Sequence, residues 1–68
     1  MNDTKINLSK LRIAREESQL TLKEVADETG FKAATTISRF ETGARSVKAE
    51  YLMKLSKLYK KPIEYFFD

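Results

Sequence analysis

Apolar residues recur along this chain every three to four positions, which is the spacing of one face of an α-helix. The first such series consists of Leu8, Leu11, Ala14 and Ser18. Asn7 precedes it, and asparagine is a preferred capping residue at helix N-termini. The pattern predicts a first helix from about Leu8 to Ser18.

A second helix is indicated by Thr21 and Glu24, which have the spacing of a capping box. In this motif the threonine hydroxyl accepts the N–H of the glutamate, and the carboxylate accepts the N–H of the threonine. The helix therefore starts at Leu22, and Gly30 can end it because glycine adopts the left-handed conformation at little steric cost. The predicted inner face consists of Leu22, Val25, Ala26 and Thr29.

A third helix is predicted from about Ala34 to Thr42, with Gly43 as its terminator. Ile37 and Phe40 fall on one side of this helix and are predicted to face the core. The other side is a polar stripe at positions i, i+3, i+4 and i+7. The stripe is formed by Thr35, Ser38, Arg39 and Thr42.

The last third of the chain predicts two more helices. The longer one runs from about Lys48 to Lys60, and its inner face consists of Leu52, Leu55, Leu58 and Tyr59. Pro62 suits the first turn of a fifth helix. That helix ends in Tyr65, Phe66 and Phe67. No segment has the alternation of a β-strand, so the predicted fold class is all-α.

The length of 68 residues corresponds to one domain with a small core. We expect residues 1–6 to form a flexible N-terminal arm and residues 7–68 to form the domain. The first ten residues lack the apolar run of a signal peptide, and no segment approaches the roughly 20 apolar residues of a transmembrane helix. The sequence therefore predicts a cytoplasmic protein with no membrane association.

Cysteine and histidine are both absent from the chain. This excludes disulfides, cysteine-based metal sites, cysteine nucleophiles and imidazole acid–base chemistry. The carboxylates have no glycine-rich phosphate loop beside them, and so small a domain rarely encloses a pocket. We predict no enzymatic activity, no metal and no cofactor. Single-stranded nucleic acid is a poor candidate ligand, because the aromatic residues lie at core spacing or at the C-terminus.

Basic residues are concentrated in the second half of the chain. Residues 31–61 contain eight basic and two acidic residues, whereas residues 1–30 contain five basic and six acidic residues. This asymmetry favours a nucleic-acid partner. Four lysines have two interpretations, either as part of that basic surface or as solvation of an outer helix face. They are Lys54, Lys57, Lys60 and Lys61.

Two short helices joined by a tight turn, the second with a polar outer stripe, match a helix-turn-helix unit that fits the DNA major groove. The chain resembles the phage Cro and repressor-like helix-turn-helix proteins, also called Xre-like regulators, over nearly all of residues 8–67. The supporting stretches are Leu11–Arg15, Leu20–Asp27, Gly30–Phe31, Thr36–Gly43 and Leu52–Leu58. The resemblance implies a compact five-helix bundle of the lambda-repressor-like type, in which helices 2 and 3 form the helix-turn-helix.

The resemblance also places the base contacts at the start of the third helix. The corresponding residues are Ala34, Thr35, Thr36 and Arg39. Thr35 and Arg39 have the most suitable chemistry, because arginine can bond to guanine O6 and N7 and threonine offers a hydroxyl and a methyl group. The alternative is that this stripe is an ordinary solvated helix face.

Phosphate contacts are expected around the same helix. The candidates are Thr21, Lys23, Lys32, Ser38, Arg45, Ser46 and Lys48. Leu22 stands where the family often has a phosphate-binding glutamine, so Thr21, Lys23 or a backbone N–H is expected to replace it. The last three candidates form a loop after the third helix that is suited to phosphate contacts, which position a protein without recognising sequence.

Two further departures from the family pattern affect local geometry. The segment between Gly30 and Ile37 is one residue longer than is common, so the turn bulges or the third helix starts differently. Val47 and Lys48 stand where proline and a small capping residue are common. Ser46 is the alternative cap for the fourth helix.

The family pairs an arginine at the position of Arg15 with a glutamate at the position of Glu41, and both residues are present here. The resemblance therefore implies an ion pair that ties the first helix to the end of the third. Loss of one partner would leave the other poorly compensated. We assign both residues a structural role and expect Arg15→Ala to lower the melting temperature.

The resemblance implies a homodimer, because two half-sites double the area available for specific binding. The candidate dimer contacts are Tyr65, Phe66 and Phe67. Three aromatic residues exceed what a short last helix can bury, although the alternative is that all three cover the bottom of the core.

Two functions fit these features. The first is a transcriptional regulator, expected to be a repressor, that binds a palindromic operator in double-stranded DNA. The second is an antitoxin-like module that binds a protein partner through the aromatic C-terminal end. Both would use the same fold, so the fold does not separate them.

Overall fold

The computed structural model of the protein describes residues 5–67. They form four α-helices and a C-terminal 3₁₀ turn, and apart from one isolated bridge these residues contain no β-structure. The helices are α1 (Leu8–Glu17), α2 (Leu22–Thr29), α3 (Ala34–Thr42) and α4 (Ala49–Tyr59), and the 3₁₀ turn is Ile63–Phe66. The predicted all-α class is confirmed.

The helix boundaries follow the capping signals in the sequence. The side chain of Asn7 accepts a backbone N–H at the start of α1. The complete capping box of Thr21 and Glu24 starts α2. Gly30 and Gly43 end α2 and α3 in the left-handed conformation, with φ of 83° and 85°. These four boundaries depend on interactions within a few residues, which explains why the sequence predicts them.

The predicted fifth helix is wrong, because this segment is only a 3₁₀ turn. Phe67 is extended, with φ of −108° and ψ of 148°, and pairs with Ile6 in an antiparallel bridge. The N–H of Asn7 donates to the carbonyl of Phe66 at 2.6 Å. Because Phe67 is extended and paired with Ile6, only four residues between Pro62 and Phe67 can be helical. Four residues are enough for i→i+3 hydrogen bonds but too few for a regular α-helix.

Two other helices end earlier than predicted. Helix α1 stops at Glu17, and Ser18 is its C-cap. The N-cap of α4 is Lys48, and its left-handed C-cap is Lys60, with φ of 58°. No side chain of the described residues caps the start of α4, so the alternative role of Ser46 as its cap is wrong.

The predicted N-terminal arm covers residues 1–6, of which residues 1–4 lie outside the described residues. Ile6 forms the bridge to Phe67 and packs against the core. Ile6 is therefore paired with the C-terminal segment, although it falls within the predicted arm.

One core joins the helices and fixes how α3 is presented. Its buried residues are Leu11, Ala14, Val25, Ala26, Ile37, Phe40, Leu52, Leu55, Tyr59 and Phe66. Helix α3 packs against both α1 and α2, and α4 packs against α2. Burial of Ile37 and Phe40 fixes the orientation of α3 about its axis, so that its polar side faces outward.

Candidate nucleic-acid interface

Aromatic packing holds the turn between α2 and α3. Phe31 lies in this turn, and its ring meets the rings of Phe40 and Tyr51 edge to face, at centroid distances of 5.4 and 4.9 Å. Such edge-to-face pairs contribute roughly 0.5–1.5 kcal/mol beyond their buried area. The turn is therefore attached to both α3 and α4, and the direction in which α3 leaves it is constrained.

The N-terminus of α3 is open. Ala33 is its extended N-cap, with φ of −143°, and no side chain in residues 5–67 caps this end. The first N–H groups of a helix have no acceptor within the helix, and here they belong to Ala34 and Thr35. This is also the positive end of the helix dipole, which favours anions such as phosphate. The connection with one additional residue thus leaves α3 starting at Ala34, as predicted.

The four candidate base contacts all lie in the first two turns of α3 but differ in exposure. Thr35 and Arg39 are exposed, whereas Ala34 and Thr36 are partly buried. Ser38, a candidate phosphate contact, is also partly buried. Thr35 and Arg39 are therefore the predicted base contacts whose polar groups are most accessible.

Arg45 is held against the rings beside α3. Its guanidinium carbon lies 5.6 Å from the ring centroid of Phe40 and 5.9 Å from that of Tyr51, within the range of cation–π interactions. The N–H of Arg45 donates to the carbonyl of Arg39 at 3.2 Å. The hydroxyl of Thr42 donates to the same carbonyl at 3.3 Å. The loop after α3 is thus attached to the helix through both backbone and side chain.

At the start of α2, the groups of Thr21 are engaged in the capping box. Its hydroxyl accepts the N–H of Glu24 at 3.1 Å, and its N–H donates to the carboxylate of Glu24 at 2.8 Å. Lys23 forms an ion pair with Asp27 at 3.3 Å, but both side chains are exposed. Exposed pairs of this kind contribute little to stability. Lys23 can therefore exchange its partner for a phosphate more readily than Thr21 can.

Further basic groups flank α3 along the chain, or lie in α4 and after it. Of the remaining phosphate candidates, Lys32, Ser46 and Lys48 are all exposed. Four lysines were open to two interpretations, and within residues 5–67 the side chains of Lys54 and Lys61 contact other side chains. The ammonium group of Lys54 lies 5.9 Å from the ring centroid of Phe31, and Lys61 forms an ion pair with the carboxylate of Glu17 at 2.9 Å. The hydrogen bond with that carboxylate raises the pKa of Lys61.

Arg15 and Glu41 join α1 to the end of α3. The Nε of Arg15 lies 2.7 Å from one carboxylate oxygen of Glu41, and an η-nitrogen lies 3.2 Å from the other. A second η-nitrogen donates to the carbonyl of Leu20 at 3.0 Å. The side chains are only 14% and 9% exposed. The hydrogen bond to Glu41 raises the pKa of Arg15, against the opposing effect of burial.

The buried Tyr59 lies close to this pair. Burial raises the pKa of its hydroxyl, the negative charge of Glu41 raises it further, and the positive charge of Arg15 lowers it. The end of α3 is therefore tied to α1 by an ion pair that lies close to a neutral phenol.

The three aromatic residues at the C-terminus have different environments. Phe66 is completely buried in the core, whereas Tyr65 and Phe67 are partly buried. The ammonium groups of Lys10 and Lys61 lie 5.3 and 4.9 Å from the ring centroid of Tyr65. The burial of Phe66 favours its core role, so Tyr65 and Phe67 are the two that retain surface for another chain.

Phe31 and Tyr51 are not among the residues predicted for the site. These two residues connect the turn before α3 to the loop after it. A weak signal exists for Tyr51, which lies one helical turn before the inner-face residue Leu55 and therefore at the edge of that face. No local pattern indicates that Phe31 meets it, because the two rings come from segments 20 residues apart.

Two other features bear on the kind of site. Within residues 5–67, no three His, Cys, Asp or Glu side chains are grouped so as to bind a metal ion. The helices of the same residues are too short and too polar to span a membrane.

A family model described as helix-turn-helix matches residues 11–66. The matched range includes the whole of α2, α3 and α4, and with them every candidate base contact. Searches of the curated proteins and of the solved structures find no match.

Proposed function

Because this chain belongs to the family of Cro-like and repressor-like (Xre-like) helix-turn-helix DNA-binding proteins, we propose that it is a transcriptional regulator that recognises a specific sequence in double-stranded DNA. The observation that most supports this is the outward stripe of α3, where Thr35 and Arg39 are exposed. In this proposal α3 lies in the major groove. Arg39 donates to guanine, Thr35 contacts a neighbouring base, and Ala34 and Thr36 contribute shape.

Phosphate contacts on both sides of α3 would set its position in the groove. The open N-terminus of α3 and Lys32 lie on one side, and the loop of Arg45, Ser46 and Lys48 lies on the other. Contacts of this kind orient the protein on the duplex without recognising sequence. We include Lys23 and Thr21 as contacts from the start of α2, with Lys23 the stronger because its present ion pair is exposed.

The proposal also includes a homodimer that binds a palindromic operator and represses transcription. A single domain of this kind buries only about 600–1,000 Å² of its own surface on DNA, and two copies double that area. The partly buried rings of Tyr65 and Phe67 are the candidate dimer contacts. A regulator acts where the DNA is, so we propose a cytoplasmic location.

The test is a fluorescence-anisotropy titration of the protein against the duplex upstream of its own gene and against a scrambled duplex, each at several salt concentrations. We expect the upstream duplex to bind more tightly. We expect log Kd for both duplexes to change with log salt by roughly 0.9 per phosphate neutralised.

Failure of both duplexes to bind at low salt would overturn the proposal. The search would then turn to the antitoxin-like alternative, with Tyr65 and Phe67 as the residues against which to test a protein partner. Equal binding of both duplexes would leave a DNA-binding protein without sequence specificity and would contradict the assigned roles of Arg39 and Thr35.

A further inference from the structure

Three rings from three different elements form one cluster beside α3. Phe31 comes from the turn before α3, Phe40 from α3 itself and Tyr51 from α4. The ring centroid of Tyr51 lies 4.9 Å from that of Phe31 and 5.8 Å from that of Phe40. Phe40 is completely buried, whereas Tyr51 is partly exposed. Phe31 is also partly exposed, and Tyr51 is the partly exposed ring of the cluster that lies beside Arg45.

The guanidinium of Arg45 lies at this exposed edge, within 6 Å of the ring centroids of both Phe40 and Tyr51. An exposed arginine elsewhere samples many rotamers, and binding must then order it at a cost in entropy. A guanidinium that stacks on a ring uses its planar face, and its N–H groups remain free in the plane to donate to a phosphate. The attraction of the two rings for the guanidinium thus restricts Arg45.

We propose that Tyr51 is a positioning residue for DNA binding, and that its ring holds Arg45 in place to contact a backbone phosphate beside α3. The inference rests on the proposed function. Tyr51 itself makes no DNA contact in this proposal. Its effect passes through Arg45, whose backbone N–H is fixed to the carbonyl of Arg39.

The same helix contains a control for this role. Met53 lies two residues after Tyr51 on α4, is 53% exposed, and is neither a proposed DNA contact nor a proposed dimer contact. Residues two apart on a helix do not face each other. Truncating Met53 therefore changes an apolar side chain of α4 without disturbing Arg45.

The experiment measures Kd and its salt dependence on the upstream and scrambled duplexes. The variants are Tyr51→Leu, Tyr51→Phe, Arg45→Ala, the double variant Tyr51→Leu with Arg45→Ala, and Met53→Ala. Melting by circular dichroism establishes that each variant is folded at the assay temperature. If Tyr51→Leu is not, Tyr51→Met replaces it, because methionine fills irregular gaps in a core.

We expect Arg45→Ala to weaken binding to both duplexes and to reduce the magnitude of the salt slope by about 0.9. We expect Tyr51→Leu to weaken both by about three- to tenfold with the slope unchanged, because the charge remains but must be ordered on binding. Tyr51→Phe and Met53→Ala should bind like the wild type. In the double variant, loss of the ring should add nothing to the loss of Arg45.

Several results would overturn the inference. Wild-type or tighter binding by Tyr51→Leu would show that the rings do not position Arg45 for DNA. An equal loss in the presence and absence of Arg45 would show that Tyr51 acts independently of it. Weak binding by Tyr51→Phe would indicate that the hydroxyl itself contacts DNA. Failure of the wild type to bind any duplex would instead overturn the proposed function.

Discussion

At the scale of single residues, Arg39 is the side chain on which sequence recognition is expected to depend most. It is exposed on α3, and a bidentate contact between arginine and guanine discriminates against the wrong base by about 1–3 kcal/mol. We expect Arg39→Ala to weaken binding to the upstream duplex by roughly five- to 150-fold, with a much smaller effect on the scrambled duplex. Anisotropy titrations of both duplexes measure this difference.

Arg12→Ala is the matched control, because Arg12 is an exposed arginine on α1 whose partner Glu16 is 3.8 Å away. It should change the affinity for either duplex little. An equal loss on both duplexes in Arg39→Ala would assign Arg39 to phosphate contact instead of base recognition.

A second prediction at this scale concerns Arg15. Arg15→Ala would leave the carboxylate of Glu41, only 9% exposed, without its main partner. Removing one member of a buried pair typically costs about 3–5 kcal/mol, and the lower end applies here because both side chains retain some contact with water. We expect the urea midpoint and the melting temperature to fall by an amount corresponding to about 3 kcal/mol.

Arg12→Ala again serves as the control, since the pair of Arg12 and Glu16 is more than half exposed and should contribute little. If Arg15→Ala and Arg12→Ala melted together, the structural role of the Arg15–Glu41 pair would be wrong.

At the scale of elements, the start of α2 combines helix capping with a predicted phosphate contact. Thr21 supplies both halves of the capping box, and Lys23 follows two residues later. Replacing a capping threonine by alanine costs about 1 kcal/mol, whereas aspartate also caps well. We therefore expect Thr21→Ala to lower the melting temperature and Thr21→Asp to preserve it.

The same two variants separate stability from DNA binding. If the start of α2 lies against a phosphate, Thr21→Asp should bind both duplexes more weakly than the wild type although it is as stable, because it adds a negative charge there. Unchanged binding by Thr21→Asp would place this end of α2 away from the DNA.

Elements whose boundaries depend on neighbouring residues could be predicted from the sequence, and the others could not. The capping box and Gly30 fix α2 through contacts within its own eight residues or the residue on either side. The 3₁₀ turn after Pro62 depends instead on pairing with Ile6, more than 50 residues away. Local sequence patterns do not reveal such a distant contact. The pattern of this segment therefore predicts a helix that the segment does not form.

The residues of the candidate site were also only partly predictable from the sequence. The outward stripe of α3 follows from helical periodicity, since burial of Ile37 and Phe40 leaves Thr35 and Arg39 outside. The position of Arg45 does not follow from periodicity, because it depends on the Tyr51 ring from the next helix. Periodicity thus predicts which face of α3 is available, whereas tertiary packing determines how the flanking loop is held.

At the scale of the whole molecule, the C-terminal aromatic residues include one residue of the core, Phe66, and the two proposed dimer contacts. Phe66 is completely buried, and truncation of a buried phenylalanine costs about 3–5 kcal/mol. A domain of this length is stable by only roughly 3–10 kcal/mol. We therefore expect Phe66→Ala to lose most of its cooperative unfolding transition, and calorimetry or urea unfolding measures this loss.

Tyr65→Ala tests the other role of the same segment. Tyr65 is only partly buried, so its truncation should cost a single chain little beyond its edge-to-face contact with Phe66, about 0.5–1.5 kcal/mol. If Tyr65 contacts a second copy, sedimentation equilibrium should show a dimer for the wild type and a lower mass for Tyr65→Ala at equal concentration. A dimer of undiminished mass would move the interface to another face. Because specific binding to a palindrome requires both half-sites, a dissociated Tyr65→Ala should also lose affinity for the upstream duplex more than for the scrambled one.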